Sequence, residues 1–347
     1  MPGTVSHAGW TVSWSIPTGW GGGLVISKAE FEDPATLQKR MVLYKGTAPF
    51  VLVPYHGGFP IFKDGINHQG AAFTPVLPTS ANAFQGAGTP PAGNDNQWDP
   101  ITNAAGAVVV EKENATLIAP ASLVIWAKFQ CVNYQYVHRW EFHADGSFEP
   151  GVGLGGVLWT TNPPTSNHVH TFYFRLDFDV DGFANNAVQE FAHPNNNAGS
   201  DNWTTITQEG RRVANPGTAR KWRVVNKAPK PNGKLRSYEV TPASDMTPEG
   251  VSSTGDLWVL RYDPGQDGAA VGTNDGVLHT TYLHGPGTVV DGADVVVWHA
   301  LRHHHETRQL GEETITLPYE FVSFHVEPRD FLGGTPTKLY PTSPPSP

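Results

Sequence analysis

The chain has 347 residues, enough to bury a large core in one or two domains. Its 37 Gly and 30 Pro, with frequent Val, Thr, Trp and Phe and only three Met, favour strands and turns over helices. The net charge of −9 disfavours binding to nucleic acid, and no apolar stretch approaches the roughly 20 residues of a membrane helix. We therefore expect neither a nucleic-acid partner nor a membrane partner.

The cysteine content and the first residues bear on the compartment. Cys131 is the single cysteine, so no disulfide can form within the chain. The first 15 residues lack the charged start and the apolar segment of a secretory signal. Together these features predict a cytoplasmic protein.

The predicted elements, in chain order, are strands separated by turns rich in Gly, Pro and Asn. Residues 33–39 are a candidate short helix, and residues 42–55 alternate as two strands around a Gly-Thr turn. Residues 122–150 are expected to form one long strand, a turn at Asp145-Gly146 and a returning strand. Residues 168–182, 256–265 and 294–306 are predicted to be further strands.

The order of these elements bears on domain organisation. We find no internal repeat and no long helical period, so the chain is predicted to be all-β, with one large β-sandwich over residues 1–331. Residues 332–347 are rich in Pro and Ser, which predicts an extended or disordered C-terminal tail.

The strand that begins at His168 has the most informative pattern. Alternate residues of a strand face the same side, so one face is expected to begin with His168 and His170 and to continue with apolar residues. Two imidazoles at this spacing can share one metal ion, and imidazole suits copper, zinc or iron. The ordinary alternative is a pair of core or solvent histidines, and the spacing alone does not decide between the two.

The opposite face of the same strand ends in three carboxylates, Asp177, Asp179 and Asp181. Their spacing is similar to the start of an EF-hand loop, but the twelfth position, where that loop needs Glu, is Val188. The preceding residues also alternate as a strand, so we reject an EF-hand. A hard-cation site that uses Asp177 and Asp179 and a plain charged strand end both stay open.

Residues 167–182, NHVHTFYFRLDFDVDG, resemble the copper-ligand segment of copper amine oxidases. Further segments are similar to the catalytic domain of that family, in the same order. They are GLVISKAEFEDP (23–34), MVLYKG (41–46), LVPY (52–55), VNYQYVHRWEFHADGSFEPG (132–151), LWVLRYDPG (257–265), DVVVWHALRHHHETR (294–308) and YEFVSFHVEPRDF (319–331). The resemblance implies the large catalytic β-sandwich of that family, without the smaller domains that usually precede it.

The resemblance implies a copper site. His168 and His170 match two copper ligands of the family, and His305 matches the third, which comes from a later strand. The adjacent His303 and His304 stay open as alternatives to His305.

The resemblance also implies a second, structural metal, which is usually calcium in the family. The matching positions are Asp177, the backbone carbonyl of Phe178, Asp179 and Asp294. A cation there would neutralise carboxylates that otherwise repel one another at the strand end.

The quinone cofactor of the family, topaquinone, forms from a tyrosine that matches Tyr134. Asn133 before it follows the family pattern, and Tyr55 matches a tyrosine that hydrogen-bonds the cofactor. Two positions depart from the pattern, because Gln130 stands where the family has Thr and Gln135 where it has an acid.

The general base of the family has no clear counterpart. The family places an Asp about fourteen residues beyond the tyrosine that matches Tyr55, and that count lands on Gln69. Asp64 and His68 are the nearby candidates for this role, and the lack of any replacement is the third possibility.

The resemblance implies a homodimeric oxidase that takes dioxygen and a small-molecule amine, or a larger amine-bearing substrate. It would convert the amine to an aldehyde with release of hydrogen peroxide and ammonia. Two alternatives stay open because of the departures. One is a copper enzyme on the same fold with unmodified Tyr134 and different chemistry, and the other is a non-catalytic metal-binding homologue.

Overall fold

A computed structural model describes residues 2–17, 23–53, 62–64, 99–100, 108–116, 119–131, 134–156, 168–191, 203–213, 220–242, 255–266, 283–305 and 320–333. Almost all regular structure in these ranges is β, beside one 3-10 turn at Pro264–Gln266. The strands are β1 (Gly3–His7), β2 (Trp10–Ser15), β3 (Val25–Glu32), β4 (Lys39–Val53), β5 (Phe62–Asp64), β6 (Asp99–Pro100), β7 (Val108–Glu113), β8 (Ser122–Cys131), β9 (Tyr134–His143), β10 (Phe148–Gly156), β11 (His168–Phe178), β12 (Asn186–Phe191), β13 (Trp203–Ile206), β14 (Gly210–Arg212), β15 (Lys221–Asn226), β16 (Arg236–Thr241), β17 (Leu257–Arg261), β18 (Val295–His305), β19 (Glu320–Ser323) and β20 (His325–Arg329).

The strands form two antiparallel sheets. The first has the order β1-β2-β3-β4-β11-β18-β17-β14, with β5 also paired to β4. The second has the order β13-β12-β15-β16-β20-β10-β9-β8-β6, with β19 paired to β10 and β7 to β8. The prediction of an all-β sandwich is confirmed in this part of the chain.

The main core lies between the two sheets. Alternate residues of β11 point into it, as the period-two pattern predicts, and alternate residues of β9 meet them from the other sheet. Trp140 of β9, for example, packs edge-on against Phe174 of β11 with ring centroids 5.9 Å apart. Burying one such large apolar side chain stabilises the fold by about 1.5–3 kcal/mol.

The outer face of the first sheet is also buried at its centre, over β11, β17, β18 and part of β4. Phe50, Tyr173, Trp258 and Trp298 form a second apolar cluster there, in which the Phe50 and Tyr173 rings stack at 4.8 Å. As a result, every residue of β11 is buried, whichever face it occupies. This strand therefore lies at the centre of the described part of the fold.

The prediction of two strands around a turn within residues 42–55 is wrong, because β4 is one continuous strand of 15 residues. Its first part, residues 39–47, pairs with β3, and residues 43–52 pair with β11 on the other side. Two register irregularities opposite β11 accommodate extra residues of β4. Gly46 serves packing instead of a turn. A Cβ atom there would lie 2.5 Å from the Trp140 ring.

The predicted short helix over residues 33–39 is also wrong. Asp33 Oδ1 accepts a hydrogen bond from the Ala35 N–H, and the Asp33 carbonyl accepts one from the Leu37 N–H, which closes a single turn. Leu37 then has φ of 56°, so the chain leaves the right-handed helical region and enters β4.

The segment 122–150 forms three strands, where one long strand and one returning strand were predicted. β8 and β9 pair as a hairpin with Cys131 opposite Tyr134, and β10 returns against β9. The predicted turn at Asp145-Gly146 is confirmed. Gly146 has φ of 87°, and Asp145 Oδ1 accepts the Ser147 N–H at 2.8 Å.

The start of the predicted tail packs on the sandwich. Leu332 lies against the main core, and its carbonyl accepts a hydrogen bond from Lys230 Nζ at 3.0 Å. Residues 334–347 lie outside the described part of the chain, so the tail boundary stays a prediction. A search of the described residues for a helix long and apolar enough to cross a membrane finds none.

Candidate metal centres and active site

Strand pairing brings three imidazoles together. β11 and β18 are antiparallel neighbours, and their register places His168 directly opposite His305. Residues that face each other across such a pair lie on one side of the sheet, and so do residues two apart on a strand. His168, His170 and His305 therefore share the face that looks into the sandwich, whereas His304 has the opposite orientation.

The ring nitrogens of these three residues converge on one point. His168 Nε2 lies 3.1 Å from His170 Nε2 and 3.3 Å from His305 Nδ1, and one nitrogen of each ring lies within 4.8 Å of the others. Imidazole ligands about 2.0–2.1 Å from a shared ion stand roughly 2.9–3.5 Å apart. The spacing therefore fits a single bound transition metal.

The electrostatics of the triad favour the neutral imidazole, which is the form that binds metals. Burial lowers the pKa of His305 to about 3, and the neighbouring imidazoles act in the same direction. Burial, and after it the other imidazoles, hold the pKa of His170 well below its usual 6.5. Neutral imidazole rings whose nitrogens converge are a set of ligands that suits copper or zinc.

His303 and His304 were the sequence alternatives to His305. His303 is buried on the inner face opposite His170, and its Nδ1 lies 3.1 Å from the His304 carbonyl oxygen. Neither residue belongs to the cluster of converging nitrogens. The geometry therefore favours His305 as the third ligand.

Tyr134 reaches the triad from the second sheet. It is the first residue of β9, held between Cys131 on β8 and Gly156 on β10, and it is 3% exposed. Its Oη lies 3.1 Å from His168 Nε2, the nitrogen that also faces the other two rings. The ring stands edge-on to His170 with centroids 4.7 Å apart. The phenol is thus beside the point where the nitrogens converge.

Tyr136 is a member of the site that sequence reasoning missed. It follows Tyr134 on the inner face of β9, is fully buried, and places its Oη 3.2 Å from His170 Nδ1. Strand alternation could have indicated it, because Tyr134 and Tyr136 are two residues apart on a predicted strand and therefore share a face.

The side chains of four other predicted site residues are not described by the structure. Tyr55, Asn133 and His68 lie outside the described residues. Of Asp64 the structure describes the backbone, which pairs with Val51 of β4 at the end of β5. The roles of these residues and the identity of the general base stay predictions.

The predicted second metal site brings three carboxylates together at the far end of β11. Asp177 and Asp179 lie where β11 ends, Asp294 lies where β18 begins, and one oxygen of each is within 4.8 Å of the others. Asp177 also lies 3.4 Å from Arg175 Nη1. Phe178, whose carbonyl was predicted as a ligand, is buried and is the last residue of β11, between Asp177 and Asp179 in the chain.

The electrostatics of these three carboxylates favour the binding of a cation. Burial, and then the nearby Asp294, raise the pKa of Asp179 to about 7, and burial also raises the pKa of Asp294. Asp294 Oδ1 is buried and has no hydrogen-bond partner among the described residues. Carboxylate oxygens grouped in this way suit a hard cation such as calcium. Asp177 follows His170 by seven positions on β11, so the carboxylates and the imidazoles lie about 23 Å apart along the strand.

Comparison with known proteins identifies the family. The model of the copper amine oxidase enzyme domain matches residues 109–345, about two thirds of the chain. The chain belongs to the copper amine oxidase family. A primary amine oxidase of Arthrobacter sp. (strain P1) is 25% identical over 408 residues, which cover 98% of this chain and 61% of that protein. A peroxisomal copper-containing amine oxidase alpha 2 of Arabidopsis thaliana is 25% identical and is covered over 56% of its length.

Solved structures agree in fold. A copper-containing benzylamine oxidase from Hansenula polymorpha superposes with a TM-score of 0.70 at 18% identity, over 97% of this chain and 61% of that one. An amine oxidase of Aspergillus nidulans gives a TM-score of 0.62 at 15% identity. The chain thus has the family's catalytic β-sandwich and spans about 56–61% of the length of these two curated relatives.

Proposed function

We propose that this chain is a copper-dependent oxidase of primary amines. The reaction takes an amine, dioxygen and water to an aldehyde, ammonia and hydrogen peroxide. The observation that carries the proposal is the meeting of three converging imidazoles with the phenol of Tyr134 between the two sheets. Family membership supports the same reaction class.

The residues of the triad have a defined task in this proposal. His168, His170 and His305 would hold copper, and burial lowers the pKa values of His170 and His305, which keeps these two rings in the neutral, metal-binding form. Copper, when bound, supplies the redox and Lewis-acid chemistry that converts a nearby tyrosine to a quinone and assists dioxygen reduction. The pairing of β11 with β18 places the three rings side by side, so we expect little backbone rearrangement on metal binding.

Tyr134 is the proposed precursor of topaquinone. Its phenol borders the converging nitrogens, whereas the phenol of Tyr136 faces the far side of the His170 ring. Of these two tyrosines, Tyr134 is therefore the one placed for oxidation. Burial of its ring also protects a reactive carbonyl from bulk water, and such a carbonyl is the electrophile that a primary amine attacks.

The remaining parts of the proposal rest on sequence resemblance. Asp64 or His68 is the candidate base that removes a proton from the carbon next to the amine nitrogen, and Tyr55 and Asn133 are candidate partners of the cofactor. Asp177, Asp179 and Asp294, with the Phe178 carbonyl, would hold calcium or a similar cation that stabilises the fold. A homodimer, a cytoplasmic location and the identity of the amine stay predictions.

Copper reconstitution tests the proposal. Metal-free protein is loaded with copper without oxygen and then exposed to air, and the Tyr134 peptide is analysed by mass spectrometry. The expected product is a coloured protein that reacts with a hydrazine, with a peptide that has gained two oxygen atoms and lost two hydrogen atoms. Colourless, copper-loaded protein with unmodified Tyr134 would contradict it and support a copper enzyme of different chemistry, as the departures at Gln130 and Gln135 would allow.

A further inference from the structure

Tyr136 and His170 form a buried contact that the proposed reaction does not use. Tyr136 is fully buried, as is His170, and the Tyr136 Oη lies 3.2 Å from His170 Nδ1. The other ring nitrogen of His170, Nε2, lies 3.1 Å from His168 Nε2. The two nitrogens of His170 therefore have separate surroundings: Nε2 faces the converging imidazoles and Nδ1 faces a phenol.

We infer that Tyr136 is a positioning residue that fixes the ring orientation and the tautomer of His170 for copper binding. The inference rests on the proposed copper function. A neutral imidazole has one N–H group, and a metal ligand must keep its lone pair on the nitrogen that faces the metal. When His170 Nδ1–H donates to Tyr136 Oη, the lone pair of Nε2 points at the centre. The opposite tautomer would place a proton there.

Tyr136 is itself held firmly enough for this task. Its backbone pairs with Phe129 of β8 and with Leu154 of β10, so the residue lies in the interior of the second sheet. Its ring stands edge-on to Phe172 with centroids 5.4 Å apart, and Phe172 in turn stacks at 6.4 Å on His170. The His170 ring is thus bounded by residues from both sheets, which limits its rotation.

The two tyrosines of β9 divide the work. Tyr134 contacts a nitrogen on the inner side of the triad, and Tyr136 contacts the nitrogen of His170 on the outer side. Removing an outer hydrogen-bond partner of a metal ligand typically weakens metal binding about 10- to 100-fold. The Tyr136 hydroxyl is therefore expected to strengthen copper binding without being oxidised.

The test compares Tyr136→Phe with Tyr238→Phe. Tyr238 is an equally buried tyrosine whose hydroxyl donates to the Gly146 carbonyl at 2.9 Å, away from the triad, so its variant also loses one buried hydrogen bond. Copper affinity is measured by competition titration, and pulsed EPR measures the coupling of the remote imidazole nitrogens. We expect about 10-fold weaker copper binding and an altered remote-nitrogen signal in Tyr136→Phe, with Tyr238→Phe close to wild type.

A second measurement needs no variant. In zinc-loaded wild-type protein with ¹⁵N-labelled histidine, NMR is expected to show His170 with a protonated Nδ1 and a non-protonated Nε2. Unchanged affinity and EPR signal in Tyr136→Phe, or a protonated Nε2 in the wild type, would overturn the inference. Neither readout needs the quinone, so a protein that binds copper in this way but forms no quinone contradicts the proposed function alone. A wild-type chain that binds neither metal at the triad overturns both.

Discussion

The two ends of β11 offer a direct comparison. At its start, His168 and His170 face the inside of the sandwich and meet His305, and burial lowers the pKa values of His170 and His305. At its end, Asp177 and Asp179 meet Asp294, and burial raises the pKa values of Asp179 and Asp294. Burial thus pushes both groups toward neutrality, but only the carboxylates lose their charged, metal-binding form in the process.

This difference bears on the role that a bound ion would have at each end of β11. At the imidazole end, burial favours the neutral rings, which are the form that binds a metal, and the phenol of Tyr134 lies beside them. At the carboxylate end, burial and the nearby Asp294 disfavour the charged form of Asp179, which is the form that would bind a cation. We therefore expect a cation at the carboxylate end to contribute mainly to stability, and a metal ion at the imidazole end to contribute mainly to function.

Removal of one imidazole is expected to have the largest effect. Loss of a hydrogen-bond partner of a metal ligand weakens metal binding about 10- to 100-fold. His305→Ala should weaken copper binding by more than this, because it removes a ligand itself. Copper titration of the purified variant measures this. His304→Ala is the matched control, since it changes the neighbouring residue on the opposite face. Equal losses in the two variants would contradict the assignment of His305.

Replacement of the inner tyrosine separates metal binding from cofactor formation. Tyr134→Phe should abolish the hydrazine-reactive chromophore, because the ring lacks the oxygen that faces the triad, while copper affinity stays within about 10-fold of wild type. Tyr136→Phe, once loaded with copper, should still form the chromophore. A chromophore in Tyr134→Phe, or its absence from Tyr136→Phe with bound copper, would refute this division.

The carboxylate end can be tested through stability and pH. The pKa of Asp179 is raised to about 7, so without a cation this group makes folding less favourable as the pH rises from about 4 toward 7. In chelator, Asp179→Asn should therefore be more stable than wild type at pH 8, on the order of 1 kcal/mol after allowance for solvent screening, and the gap should shrink at pH 5.

Calcium should reverse the order of these two proteins at pH 8. Wild type gains stability from a cation that binds only the folded state, and the variant with one carboxylate fewer gains less. Thermal unfolding with calcium and with chelator measures both effects. If added calcium shifts both melting temperatures equally, the three carboxylates are not its site.

A partly exposed ion pair, which binds no metal, is expected to show the smallest effect and gives a baseline for the others. The hydrogen bond from His325 to Glu149, at 3.3 Å, raises the pKa of His325. Its contribution is present below the ordinary pKa of about 6.5 and is lost as the pH rises through the raised value. His325→Gln should thus cost less than about 1 kcal/mol at pH 5.5, and less still at pH 8.5, in urea unfolding. A larger cost at the higher pH would contradict this assignment.

Much of the site was accessible from sequence because strand alternation is local. The period of two is enough to place His168 and His170 on one face of their strand and the charged positions on the other. The convergence with His305 was not accessible in this way. It depends on the register of β11 against β18, a pairing of residues 137 positions apart, and only the resemblance to a known family indicated it.

The failures of sequence reasoning have the same origin. Gly46 looked like a turn residue, yet its missing side chain makes room for the Trp140 ring of the other sheet. Tyr136 was absent from the predicted site. Alternation places it on the same face as Tyr134, but its contact with His170 comes from the packing of the two sheets. Contacts between distant strands decide both positions, and local pattern does not contain that information.

The central claim is that one copper ion binds between the sheets through His168, His170 and His305, next to Tyr134. Anomalous diffraction at the copper edge, on copper-loaded crystals, tests it most directly. We expect one strong copper peak about 2.0–2.1 Å from His168 Nε2, His170 Nε2 and His305 Nδ1, as for other imidazole-bound metals. A copper peak elsewhere, or one that contacts only one of these rings, would contradict the account.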